Sequence, residues 1–144
     1  MNAQEMWHCY SSEAGIQAPY QAWSFGDDAD HLASLVSIGT KTATSSLLLF
    51  YDLEGTPLPQ AGDYSIVLDS RENAVCIIRT ERVYVSSFQE VDERHAWKEG
   101  EGDRSLSYWR GVHERFFQEE LKAVGRSFDE RMNVVCEEFI KVYP

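Results

Sequence analysis

Apolar residues along this chain switch between helical and strand-like spacing, and the switches outline its elements. Met6 and Tyr10 stand one turn apart in the polar stretch 3–13, which predicts a short helix. A loop carrying Pro19 follows, then the aromatic run "YQAWSFGDD", with room for a short strand. Asp27 or Asp28 is placed to cap a helix reaching about Ile38, with Leu32, Leu35 and Val36 on one face. Gly39 supplies its stop. The run "ATSSLLLFY", from Ala43 to Tyr51, reads as a strand. "DLEGTPLPQAGD" is a turn region. "YSIVLDS" and the β-branched "NAVCIIRTERVYV" read as strands. Residues 90–98 have helical spacing and "EGEGD" is a loop. The longest helix is predicted over 104–124, where Leu106, Trp109, His113, Phe116, Phe117 and Leu121 fall on one side. "MNVVCEEFIKVY" alternates as a final strand does.

That order places strands next to one another, joined mostly by short turns. It predicts an α+β fold: a curled antiparallel or mixed sheet with helices packed outside it. With 144 residues, 43% of them apolar and 12% aromatic, the chain suffices for one hydrophobic core. No repeat or low-complexity linker divides it. A single domain over 1–144 is expected, with 1–20 as an N-terminal helical extension.

Charge narrows the function. The formal net charge is −11. Tight nonspecific binding to a nucleic-acid backbone needs Lys and Arg to displace counterions, so a long duplex is not an expected partner. A single nucleoside or a short single strand remains compatible. The cysteine count is odd, with Cys9, Cys76 and Cys136 and no CxxC, which predicts buried free thiols in a reducing compartment. No apolar run approaches a membrane span, and "MNAQEMWHCYSSEAG" lacks the basic start and apolar core of a signal peptide. A cytoplasmic protein is the expectation.

Metal and cofactor chemistry finds no support in spacing. His8, His31, His95 and His113 form no HxH, HExxH or Cys/His pattern, and His113 reads as a hydrogen-bonded core histidine. No phosphate-binding glycine loop and no GxSxG turn occurs. Two stretches remain. In "GTKTATSS" a lysine, Lys41, lies among hydroxyls. A threonine hydroxyl is a nucleophile only beside a base, and an amine is a base only when neutral. Burial would have to lower the pKa of Lys41 against the helix end before it, which favours the charged form. Otherwise Lys41 stays charged and holds an anionic or carbonyl oxygen. Residues three apart on a regular strand face opposite ways, so Lys41 and Thr44 meet only if the backbone between Gly39 and Ala43 is irregular. In "HAWKEGEGDRSLSYW" the acids Glu99, Glu101 and Asp103 are separated by single glycines. Asp103 is placed to cap the long helix, and one of the glutamates could enter a pocket as acid or base. Arg104 and Ser105, at that helix start, could hold a polar or anionic group. Trp23 and Trp109 suit either base stacking or core packing.

Taken together, these stretches resemble the ASCH domain, a relative of the PUA fold. The family hallmark GxKxxT reads here as Gly39, Lys41 and Thr44. "WSFGDDADHLASLVSIGTKTATSSLLLFY", "AGDYSIVLDS" and "EGEGDRSLSYWRGVHERFF" resemble the larger bacterial members, from about residue 20 onward. The resemblance implies a small β-barrel flanked by helices, a cleft beside the Lys–Thr element, and RNA or nucleoside recognition. A small bacterial member is an amidohydrolase of N4-acetylcytidine, with lysine as base, threonine as nucleophile and glutamate as proton donor. Lys41 and Thr44 match the first two, and Glu99 in "HAWKE" matches the third, with Glu101 as its rival. A larger member resembles a metal-dependent ribonuclease. Where the family often carries an arginine two positions after the threonine, this chain has Ser46, so Ser46 and Gly39 join the ligand-facing set. Three functions follow as expectations: an amidohydrolase of N4-acylated cytidine type, a ribonuclease, or a non-catalytic nucleobase- or RNA-binding module. No cofactor and no metal ligand is assigned in this reading.

Overall fold

A computed structural model describes residues 1–144. In chain order the elements are α1 (Ala3–Ala14), β1 (Tyr20–Trp23), α2 (Ala29–Ser37), β2 (Ala43–Leu47), α3 (Leu48–Glu54), β3 (Tyr64–Leu68), β4 (Ala74–Ser87), a 3-10 turn (Phe88–Glu90), α4 (Glu93–Glu99), α5 (Leu106–Ala123) and β5 (Asn133–Tyr143). The five strands form one open sheet in the order β1-β3-β4-β5-β2. Only the β1–β3 pair is parallel. The fold class is thus α+β. The sheet bends at register shifts by Val67/Leu68, Ile77/Ile78 and Thr80/Arg82, but it leaves β1 and β2 as free edges and does not close into a barrel.

Alternation along the strands explains the packing. Ile66 and Ile77 meet Met6 of α1, while their neighbours Val67, Cys76 and Ile78 meet Ala33 and Val36 of α2. Side chains alternate across a sheet, so α1 and α2 cover opposite faces. A third apolar cluster joins Leu47, Val134 and Cys136 to Ala96 of α4 and to Trp109, Phe117 and Leu121 of α5. All three cysteines are free. Burial pushes the Cys76 thiol up to about 11 and the Cys136 thiol up to about 12. No helix is long and apolar enough to cross a membrane.

One predicted element is replaced. The strand expected over Ala43–Tyr51 ends at Leu47, and "LLFYDLE" turns into α3, closed by Gly55 at φ +67°. A short apolar run carries no period that separates strand from helix. Here the choice falls to partners: Leu49 and Phe50 lean on the α4–α5 core, and the Ser46 hydroxyl meets the Tyr51 hydroxyl at 2.8 Å. At α2, Asp28 occupies the cap position at φ 45° without making a side-chain cap bond. At α5 the cap is Ser105, whose Oγ accepts from the Tyr108 amide, while Asp103 accepts from the Ser105 amide.

Candidate functional site

Between α2 and β2 the backbone is irregular. Gly39 takes φ +88°, and residues 41 and 42 belong to no element. Two bonds pin this link: the Thr42 amide donates to the Lys98 carbonyl at 2.7 Å, and the Phe139 amide donates to the Thr42 carbonyl at 3.0 Å. The side chain of Lys41 therefore runs inward under α4 instead of outward, and it is 1% exposed. Its ammonium donates to Glu99 Oε1 at 3.0 Å and to Glu101 Oε2 at 2.9 Å, with the Glu99 carbonyl at 3.4 Å. The Phe25 ring lies 5.3 Å away.

Glu99 is the hub. It closes α4, is fully buried, and collects donors from three further segments. Its Oε2 accepts from Trp109 Nε1 at 2.6 Å, from His95 Nε2 at 2.9 Å, and in a short bond from Ser45 Oγ. Its Oε1 faces Lys41 and, at 3.3 Å, His113 Nε2. A carboxylate only accepts, so the proton of His95 sits on Nε2, leaving its buried Nδ1 without a partner. His113 is turned the same way by its other nitrogen, which donates to the Trp109 carbonyl at 2.9 Å.

These contacts settle the charges. Burial pushes the Lys41 amine down, but Glu99 and Glu101 together outweigh it and hold its pKa above the ordinary value. Burial pushes Glu99 up, but Lys41 and then His113 outweigh it and hold it well below the carboxylate range. Burial lowers His113, and Glu99 reverses that to a net rise. The resting site is a buried ion cluster with a charged lysine. The low-proton amine that a lysine base needs is therefore absent from the resting state, because two carboxylates face one ammonium.

Lys41, Thr44, Glu99 and Glu101 all line one cavity of about 560 Å³. That size suits a nucleoside-class ligand. Trp23, Phe25, Tyr51, Tyr108 and Phe116 supply aromatic wall, and Ser45, Ser46, Ser65 and Thr80 supply hydroxyls. No hydrogen bond joins Lys41 to Thr44; they share a wall. Among the other predicted ligand residues, Trp23 and Ser46 line the cavity and four do not. Gly39 shapes the link. Ser105 caps α5. Trp109 is core, 2% exposed, with its indole N–H spent on Glu99. Arg104 stacks 3.5 Å over Trp97 and donates to the carbonyls of Trp97 and Thr40, so it braces the loop. All four act through the backbone or the core, which puts them behind the wall.

Ser45, His95 and His113 are site residues that spacing alone did not assign. His113 is buried and hydrogen-bonded as expected, yet it also reaches the cavity. The signal was the i,i+4 pairing of His95 with Glu99 and of Trp109 with His113, which stacks each pair on one helix face. Glu99, Glu101 and His113 each present a ligand atom within 4.8 Å of the others, a spacing that a cation could use. In this arrangement the Lys41 ammonium already pairs with both carboxylates.

Gly100 sets how closely the two halves approach. It has φ +75°, and an added Cβ would lie 2.5 Å from the Thr40 carbonyl oxygen and 3.1 Å from Lys41 Cα. Gly100→Ala is expected to lose on the order of 1–2 kcal/mol from the left-handed backbone alone. The backbone clash adds to that loss, and thermal melting reads the sum.

The hallmark link, the buried lysine and the mixed sheet define an ASCH-type domain of PUA-like architecture. The ASCH domain family model matches residues 21–143, and the chain belongs to that family. It is similar to the ASCH domain from Lactobacillus crispatus JV V101, at 32% identity and TM-score 0.91, covering 98% of this chain and 94% of that one. It is also similar to protein EF3133 from Enterococcus faecalis V583, at 34% identity and TM-score 0.89, over 99% and 88% of the two chains. A hypothetical protein, PH0355, shares the fold at 18% identity and TM-score 0.59, over 86% of this chain and 100% of that one. No curated protein matches the chain.

Proposed function

We propose that the protein hydrolyses the acyl amide of a nucleoside, of the N4-acylated cytidine type, in the cavity beside Lys41. One observation carries this reading: a buried ammonium, ion-paired to two carboxylates, shares the wall of a nucleoside-sized cavity with the Thr44 hydroxyl. In this proposal Thr44 attacks the acyl carbon. Lys41 acts in its charged form, as the cation beside the oxygen that gains negative charge. Fixed charge aimed at a developing oxyanion is among the strongest contributions a site can make. Glu99 orients Lys41. As a resting anion with five donors around it, it is a poor source of the leaving group's proton. Ligand size and the aromatic wall support a nucleoside. The carboxylates at the wall, Asp27, Asp28, Asp63, Glu120 and Glu137 among them, disfavour a run of phosphates.

A specific observation favours a second reading, a binding module without turnover. Every strong donor of Lys41 and both oxygens of Glu99 are already satisfied within the protein. Chromatography of N4-acylated cytidines and short RNAs incubated with the protein separates the two. Turnover to cytidine that falls at least about 100-fold in Thr44→Val supports hydrolysis. A nucleoside-dependent rise in melting temperature without turnover transfers the site to binding. RNA cleavage that persists in both Thr44→Val and Lys41→Ala removes these residues from the chemistry.

A further inference from the structure

We propose that Glu137 is the base that takes the proton from Thr44. This rests on the hydrolytic reading above and supplies what that reading lacks, since Lys41 is charged. Thr44 of β2 lies directly opposite Glu137 of β5 in the antiparallel register. Opposed residues point to the same face, with Cβ atoms roughly 4.5–5.5 Å apart. Both side chains line the cavity.

The state of Glu137 differs from that of Glu99, Glu101 and Glu138. Glu99 is saturated with donors, and Glu101 holds Lys41. Glu138, its neighbour on the other face, holds Arg82, Arg94 and Lys98. Glu137 forms no salt bridge. One oxygen, Oε2, accepts from Thr80 Oγ1 at 2.6 Å, and Oε1 accepts nothing from the protein. A half-buried carboxylate without a cation is costly to keep unless something else uses it. Thr80 is 1% exposed and fixes the carboxylate, so the free oxygen is held in one orientation. Burial pushes the Glu137 carboxyl up, the Thr80 bond pulls it down, and the nearby Asp63 adds to the rise. The Tyr51 phenol on α3 also lies near it, and Glu120 lines the same cavity. A carboxylate so raised is a stronger base than an exposed one.

The step balances. The Thr44 proton moves to Glu137 Oε1 as the Oγ1–carbon bond forms, and the carbonyl pair moves onto the oxygen beside Lys41. Collapse breaks the carbon–nitrogen bond, and the Glu137 carboxyl returns the proton to the departing nitrogen. Water then gives a proton to the same carboxylate and attacks the acyl-threonine, releasing the carboxylic acid and restoring the Thr44 hydroxyl.

p-Nitrophenyl acetate tests this without relying on the natural substrate. The intact protein is incubated with it across pH, and acetylation of the peptide carrying Thr44 is followed by mass spectrometry. The expected result is labelling of Thr44 that rises through the titration of one carboxyl, falls about 100-fold or more in Glu137→Gln, and partly returns in Glu137→Asp. Melting curves of the variants matched to the wild type assign the loss to the base. Equal labelling in Glu137→Gln, or no Thr44 labelling in the wild type, overturns the proposal. Absence of N4-acetylcytidine turnover alongside Glu137-dependent labelling overturns the substrate assignment and leaves the base standing.

Discussion

Lys41→Ala lowers the free energy of unfolding by about 3–5 kcal/mol, read by urea denaturation at neutral pH. The substitution removes the main cation from a fully buried carboxylate and leaves Glu99 facing only neutral donors and His113. The size of the effect comes from that uncompensated charge. The net worth of the intact pair is much smaller, because two desolvation costs offset its attraction. Lys41→Met, which fills the same tunnel, recovers packing but not charge. It is therefore expected to stay close to alanine in stability at neutral pH. Lowering the pH, which lets Glu99 take up a proton, narrows the gap to wild type for both variants.

The second large effect belongs to Glu99→Gln. A carboxamide offers one acceptor oxygen where five donors converge, and its NH2 must oppose at least one of Lys41, Trp109, Ser45 or the histidines. A loss of about 3–5 kcal/mol is again expected. The variant also changes the pH dependence in a predictable direction. Glu99 is depressed in the folded state, so its contribution is present above its unfolded pKa of about 4.3 and lost as pH falls through its lower folded value. His113 is raised, so its contribution is complete below about pH 6.5 and is lost as pH rises through its higher folded value. Both slopes disappear in Glu99→Gln. The His113 imidazole, left with burial as its dominant influence, then titrates below about 6.5 by NMR.

The elements were legible where period and punctuation agreed. Leu32 and Val36 with Gly39 marked α2, and Leu106 through Leu121 marked α5. "LLLFY" was misread because an unbroken apolar run has no period, and its helix is decided by Ser46, Tyr51 and the α4–α5 core. Strand order was not legible at all. β1 pairs in parallel with β3 across an intervening helix, strand and helix, a pairing that no local pattern encodes. At the site, Lys41 and Thr44 were legible through the family hallmark and Glu99 through the resemblance around "HAWKE", and chemistry alone left the charge of Lys41 open. Ser45 and His95 escaped because their meaning comes from Glu99, 54 residues from the first of them. Arg104 and Trp109 looked ligand-facing because sequence does not tell the front of a wall from its back. The charge state of Lys41 was the hardest feature to read. It depends on two carboxylates some 60 residues away converging on one nitrogen.

The most direct test is a crystal structure of Thr44→Val grown with N4-acetylcytidine. Cytidine is expected against the aromatic wall, with the acetyl carbon facing residue 44 and the acetyl oxygen toward the Lys41 ammonium. A cavity that stays unfilled at saturating ligand, or a nucleoside bound with its acyl group pointing away from Lys41, contradicts it.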